Sequence, residues 1–170
     1  MKMKSKDFEN NARLHYDFEL ARRAEINENL TSTMQASFAM IGFLVFVSSA
    51  QNDPKIVPIG LQYSFWISSS FIAFSLIISA VGILGFATRF PDSPKILNSY
   101  YKDLIEHDAS TADDNFGDFL KERWIENASV NSVRNRWRSA CNFYARLLLL
   151  AACIPLAWVA IQTSKVPFPL

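Results

Sequence analysis

Three long stretches of this chain carry no charge: residues 29–52, 56–88 and 147–164 contain no Asp, Glu, Lys or Arg. A helix needs about 20 consecutive apolar residues to cross a bilayer, and each run is near or above that length. Charged residues still make up 19% of the 170, so the empty runs reflect placement and not scarcity. Soluble domains rarely segregate charge this way, which comes close to excluding a soluble globular enzyme. The formal net charge of +1 gives no whole-chain electrostatic footprint for nucleic acid.

The expected fold class is all-α: an integral membrane protein with three transmembrane helices, an N-terminal amphipathic helix and a small helical segment between the second and third spans. Residues 1–30 hold the amphipathic helix, strongest over 7–28, where there is no Gly or Pro and where Leu14, Phe18 and Ala21 share a face flanked by Leu20 and Ala24. It is expected to run into the first span, about 31–50. A turn with two prolines and a glycine leads to the second span, about 63–87, completing a hairpin over 31–88. Residues 89–142 form the intervening helical segment, with Pro91 and Pro94 as punctuation, a short helix over 95–107 and a Thr111/Asp114 capping pattern. A further helix then continues into the third span, about 143–162, where Pro155 would kink it and not end it, before a tail at 163–170. Arg146 lies one turn inside that span, where its stem can snorkel to the boundary. Trp66 and Trp158 mark one membrane face, and Phe90, Trp137 and Tyr144 the other.

Orientation follows from the positive charges. The N-terminal segment holds six Lys and Arg and residues 89–146 hold nine, whereas the loop between spans one and two has only Lys55 and the tail only Lys165. Fifteen against two, in strict alternation, predicts a cytoplasmic N terminus and middle segment, with the 51–62 loop and the C terminus outside. Asn29 and Asn127, each in a glycosylation sequon, would face the cytosol. Six acids in the first 30 residues argue against a secretory or mitochondrial leader.

Little in the chain suits catalysis, and the expectation is a protein that is not an enzyme, with no cofactor and no metal. There is no Gly-rich phosphate loop, GxSxG, HExxH or CxxC. His15 and His107 have no ligand-spaced companion, and Asp113, Asp114 and Asp118 read first as acids complementing a helix N-terminus, with a divalent cation as the sharper alternative. Cys141 and Cys153, twelve residues apart on one helix, lie about 18 Å apart along its axis and cannot bridge.

The spans offer more. Ser68, Ser75, Ser79 and Gly82 fall on one stripe of the second span, suited either to packing within the chain or to self-assembly or a water-filled path. Ser32, Ala36 and Ala39 make a shorter stripe on the first. Arg134, Arg136 and Arg138, interleaved with Trp137, read as a lipid-attracting anchor or as a contact for a nucleotide or nucleic-acid phosphate. Tyr100, Tyr101, Phe116, Phe119 and Trp124 lie on amphipathic faces that need a cover: the N-terminal helix, a second copy in a homo-oligomer, or another protein.

The amphipathic helix, the tight membrane hairpin, the exit at Phe90-Pro91 and the Asn/Arg-dotted helix NASVNSVRNRWRSACNFYARLLLLAA form a layout that resembles small transmembrane effectors of bacterial anti-phage defence. These are the SLATT family, the Pycsar transmembrane effectors and the membrane effectors paired with retrons or CRISPR modules. The resemblance implies an inner-membrane protein that is held inactive until a cytosolic trigger arrives and then permeabilises or depolarises the membrane in abortive infection. It implies membrane lipid as one partner, a homo-oligomer as the assembly, and a sensor protein, a nucleotide second messenger or a ribonucleoprotein as the trigger. The fourth span of some members has no counterpart among these three. A membrane anchor docking a cytosolic partner and a small channel subunit are the rival readings.

Overall fold

The computed structural model describes residues 5–50, 59–85, 88, 92 and 94–164. Much of the expected 51–62 loop, the Phe90-Pro91 exit and most of the 163–170 tail lie outside them. The described residues form four helices: α1 (Ser5–Ala50), α2 (Ile59–Leu84), α3 (Pro94–Asp108) and α4 (Ala112–Ser164). Three of them, α1, α2 and α4, are long and apolar enough to cross a membrane. The amphipathic helix and the first span are thus one helix, as are the Asn/Arg-dotted segment and the third span. At 46 and 53 residues, α1 and α4 are far longer than a bilayer core requires. Pro155 sits inside α4 without ending it. α2 begins a turn earlier than the expected 63 and stops at Leu84, where the Gly85 amide donates to the Val81 carbonyl at 2.7 Å.

The chain divides into two compact units. Unit 1 comprises Met1–Glu25 and Phe86–Arg136, and unit 2 comprises Ile26–Gly85 and Trp137–Leu170.

In unit 2 the buried positions alternate by three and four residues. On α1 they are Ile26, Leu30, Thr33, Ser37, Leu44 and Val47, with half-buried Met40 filling the gap. On α2 they are Ser68, Ile72, Ser75, Ser79 and Gly82. On α4 they are Arg138, Ala145, Leu149, Ala152, Leu156 and Val159, with Cys141 and half-buried Asn142 side by side between the first two. A 3.5-residue period keeps one seam of a helix facing its neighbours, as in left-handed bundles. Leu44, Ile72, Leu149, Ala152 and Leu156 make the apolar centre of this unit.

In unit 1, α3 and the start of α4 join through a tight turn. Asp108 organises it: its carboxylate accepts from the Ser110 amide at 3.0 Å, the Ser110 hydroxyl at 2.6 Å and the Thr111 hydroxyl at 2.9 Å. Thr111 stands directly before α4 where a cap belongs, and its hydroxyl also receives the Asn115 amide at 3.4 Å. The aromatic rings of the two helices cover one another, with Tyr100 and Phe119 centroids 4.3 Å apart and Tyr101 and Phe116 5.0 Å apart.

The N-terminal part of α1 departs from expectation. Leu14 and Phe18, on the apolar face of an amphipathic helix that would ordinarily pack inward, are 64% and 61% exposed, and Ala21 and Ala24 are exposed with them. The buried residues are Ala12, Tyr16 and Glu19. The cause is long-range: the Asn135 side chain on α4 donates to both the carbonyl and the carboxylate of Glu19, at 2.8 and 2.9 Å, and turns that face inward.

Candidate functional site

The candidate site is a polar seam inside unit 2. Serine and threonine enter such a seam at low cost because their hydroxyls can bond a carbonyl one turn back on the same helix. Thr33 donates to the Asn29 carbonyl, Ser37 to the Thr33 carbonyl and Ser68 to the Ser64 carbonyl, each at 2.9 Å. Ser75 bridges helices instead: its hydroxyl donates to the Ala145 carbonyl at 2.9 Å, a contact that the small, fully buried Ala145 permits. At Gly82 the approach is closest, since an added Cβ would stand 3.0 Å from Cys141 Cβ and 3.0 Å from Leu30 Cδ1. Ser79, fully buried between these two points, has no hydrogen-bond partner for its hydroxyl.

The outside of the unit has the opposite character. Phe38, Phe46, Trp66, Phe74, Leu150 and Ile154 are between 57% and 76% exposed. Large apolar surface outward with hydroxyls inward is the polarity expected of helices whose surroundings are hydrocarbon.

The sequence-predicted residues fall as follows. Ser68, Ser75, Ser79 and Gly82 do share one face, and it is buried within the chain against α1 and α4. The arginine cluster does not form one patch: Arg136 is exposed, Arg134 is half-buried, and Arg138 is buried in the seam of unit 2. Of the aromatic face, Phe116, Phe119, Tyr101 and Trp124 are half-buried and Tyr100 is 36% exposed, and the α3–α4 contact covers Tyr100 with Phe119 and Tyr101 with Phe116. Asp113 accepts from the Tyr101 hydroxyl at 2.7 Å, which raises the Tyr101 phenol above its ordinary value, and Asp118 pairs with Lys121 at 2.6 Å. Among the described residues no group of His, Cys, Asp and Glu could hold a metal ion. His15 and His107 are exposed, Cys141 is buried and Cys153 lies on the apolar exterior.

Two polar clusters were not legible from spacing. In unit 1, Glu19 is 2% exposed and accepts from Asn135, with an Arg22 nitrogen 3.7 Å from its carboxylate. In unit 2, the Arg146 guanidinium donates to Asn29 Oδ1 at 2.7 Å and reaches Thr33 Oγ1 at 3.5 Å. Asn135 and Asn29 lie more than 100 residues from Glu19 and Arg146, the groups they bond, and no local pattern announces either contact. None of these groups pairs a nucleophile with a base; what the arrangement can do is hold helices together through polar contacts that water could replace. Comparison with protein-family models, curated proteins and solved structures gives no match for this chain.

Proposed function

We propose that the protein is a non-enzymatic inner-membrane effector of an anti-phage, abortive-infection system, which permeabilises the membrane when a cytosolic signal or partner rearranges its helices. The observation that carries this reading is the seam of Ser37, Ser68, Ser75 and Ser79 enclosed by apolar surface. In the closed bundle these hydroxyls bond carbonyls or, at Ser79, nothing. A buried polar group without a partner costs about 1–3 kcal/mol. Water entering between parted helices would remove that cost, which offsets part of the packing lost on opening and lowers the work a trigger must do. A trigger need only bind the open arrangement better than the closed one. The defence setting rests on the resemblance of layout, and the cytoplasmic placement of unit 1 on the distribution of Lys and Arg.

The test is membrane potential in single bacterial cells carrying the gene with its native neighbours, followed by a voltage-sensitive dye through phage infection. Potential should collapse in carriers before lysis and persist in cells lacking the gene. Ser79→Leu, which replaces the buried hydroxyl with hydrocarbon and so removes the group that water would solvate, should leave the chain inserted and suppress the collapse. Potential that stays intact in carriers, or collapses equally with Ser79→Leu, contradicts the reading. The exposed pair Leu14 and Phe18 favours a second reading, an anchor that docks a cytosolic partner without altering conductance. A partner lost on Phe18→Ser from cells whose potential never changes would select it.

A further inference from the structure

We propose that the groove between α1 and α4 is a binding site for an anionic phospholipid, with the headgroup phosphate on Arg146 and an acyl chain running along Ala36, Leu149 and Leu150. The inference rests on the membrane placement of unit 2 but not on any effector activity. The groove is open to the outside of the unit and is lined by Ser32, Thr33, Ala36, Arg146, Leu149 and Leu150. Its depth in the bilayer follows from α4. Residues 147–164 are uncharged, and at about 1.5 Å per residue they account for nearly the whole ~30 Å hydrocarbon core. Arg146 therefore stands at the headgroup level. On α1 the charge-free run starts at residue 29, which puts Ser32 and Thr33 at the same boundary and Ala36 one turn deeper.

The polar end is suited to phosphate. Asn29 Oδ1 at 2.7 Å and Thr33 Oγ1 at 3.5 Å engage two of the five N–H donors of Arg146. The guanidinium is thereby held against α1 with donors left over, and its planar fork matches two phosphate oxygens. The other end is suited to hydrocarbon. Exposed Ala36 is too small to fill the space between the helices, and Leu149 and Leu150 wall it. A cation above an apolar furrow at the membrane boundary matches a phosphate ester carrying an acyl chain. It does not match a free phosphate, which would leave the furrow empty, or a zwitterionic lipid, whose own cation competes with the arginine.

The test uses the full chain, purified in non-ionic detergent and stripped of native lipid. Retained lipid is read by native mass spectrometry after addition of phosphatidylglycerol, phosphatidylcholine or glycerol phosphate. Phosphatidylglycerol should bind at one equivalent with roughly tenfold preference over phosphatidylcholine, and Arg146→Gln should weaken it by roughly tenfold, the worth of one charged hydrogen-bonded contact. Ala36→Phe, which fills the furrow and keeps the charge, should also displace it, while Lys102→Gln, exposed on α3 and outside the groove, should leave it bound. If Arg146→Gln fails to insert, Ala36→Phe alone decides. Equal binding of phosphatidylcholine, full competition by glycerol phosphate, or unchanged retention in Ala36→Phe would overturn the site. A chain that retains phosphatidylglycerol as described but never depolarises cells keeps the site and loses the effector reading.

Discussion

Gly82 shows how closely the helices of unit 2 approach. A methyl group there would meet Cys141 Cβ and a Leu30 methyl, both at 3.0 Å. The leucine can turn aside, but Cys141 Cβ moves only with its helix, so α2 and α4 must part. Overpacking of this kind costs about 1–3 kcal/mol, against less than about 1 kcal/mol returned by alanine's helix preference. Gly82→Ala should therefore lower the midpoint of unfolding by denaturing detergent, whereas Gly42→Ala, with nothing within 4 Å, should leave it unchanged or raised. Equal midpoints would mean that the two helices are not in contact there. The stripe containing Gly82 was legible in the sequence because small residues at three- and four-residue spacing stand out in an apolar helix. Whether it meets its own chain or another copy was not, since the same spacing serves both.

Among the elements, the turn between α3 and α4 responds to acid. Hydrogen bonds from Ser110 and Thr111 hold the exposed Asp108 carboxyl below its ordinary value. A carboxyl lowered on folding adds stability above its unfolded pKa of about 3.9, and that stability disappears as pH falls through the lower folded value. An NMR titration of the Asp108 carboxyl in the full chain should thus give a midpoint below that of a free aspartate, and the Ser110 amide shift should follow it; a midpoint at or above the free value would contradict the turn. The helices themselves were legible from charge-free runs and from the lack of breakers, down to α1 and α4 each joining a polar segment to a span. Which face of α1 turns inward was not. Hydropathy assigns Leu14 and Phe18 to the interior, but Asn135 bonds Glu19 from 116 residues away and draws the opposite face in. The α1 side of the seam was hidden for a related reason: spacing of small residues picks out Ser32, Ala36 and Ala39, which are exposed, whereas the buried 3-4 pattern passes through Thr33 and Ser37.

On the scale of the whole molecule, the proposed topology has three spans with positive charge sorted to one side. It predicts that a reporter active only in the cytosol works at the N terminus and not at the C terminus, and that a periplasm-specific reporter shows the reverse. Both termini on one side would remove a span and with it the placement of Arg146. The proposed function requires a seam that is closed at rest and wet when the protein acts. The direct measurement is the reactivity of single cysteines towards a membrane-impermeant thiol reagent, in a chain with Cys141 and Cys153 replaced by alanine. Ser75→Cys and Ser79→Cys should be protected in resting cells and should react during depolarisation, while Phe74→Cys, on the apolar exterior that the proposal places against lipid, stays protected throughout. Depolarisation with both seam cysteines still protected would contradict the proposed function, because the ions would then be crossing somewhere other than between these helices.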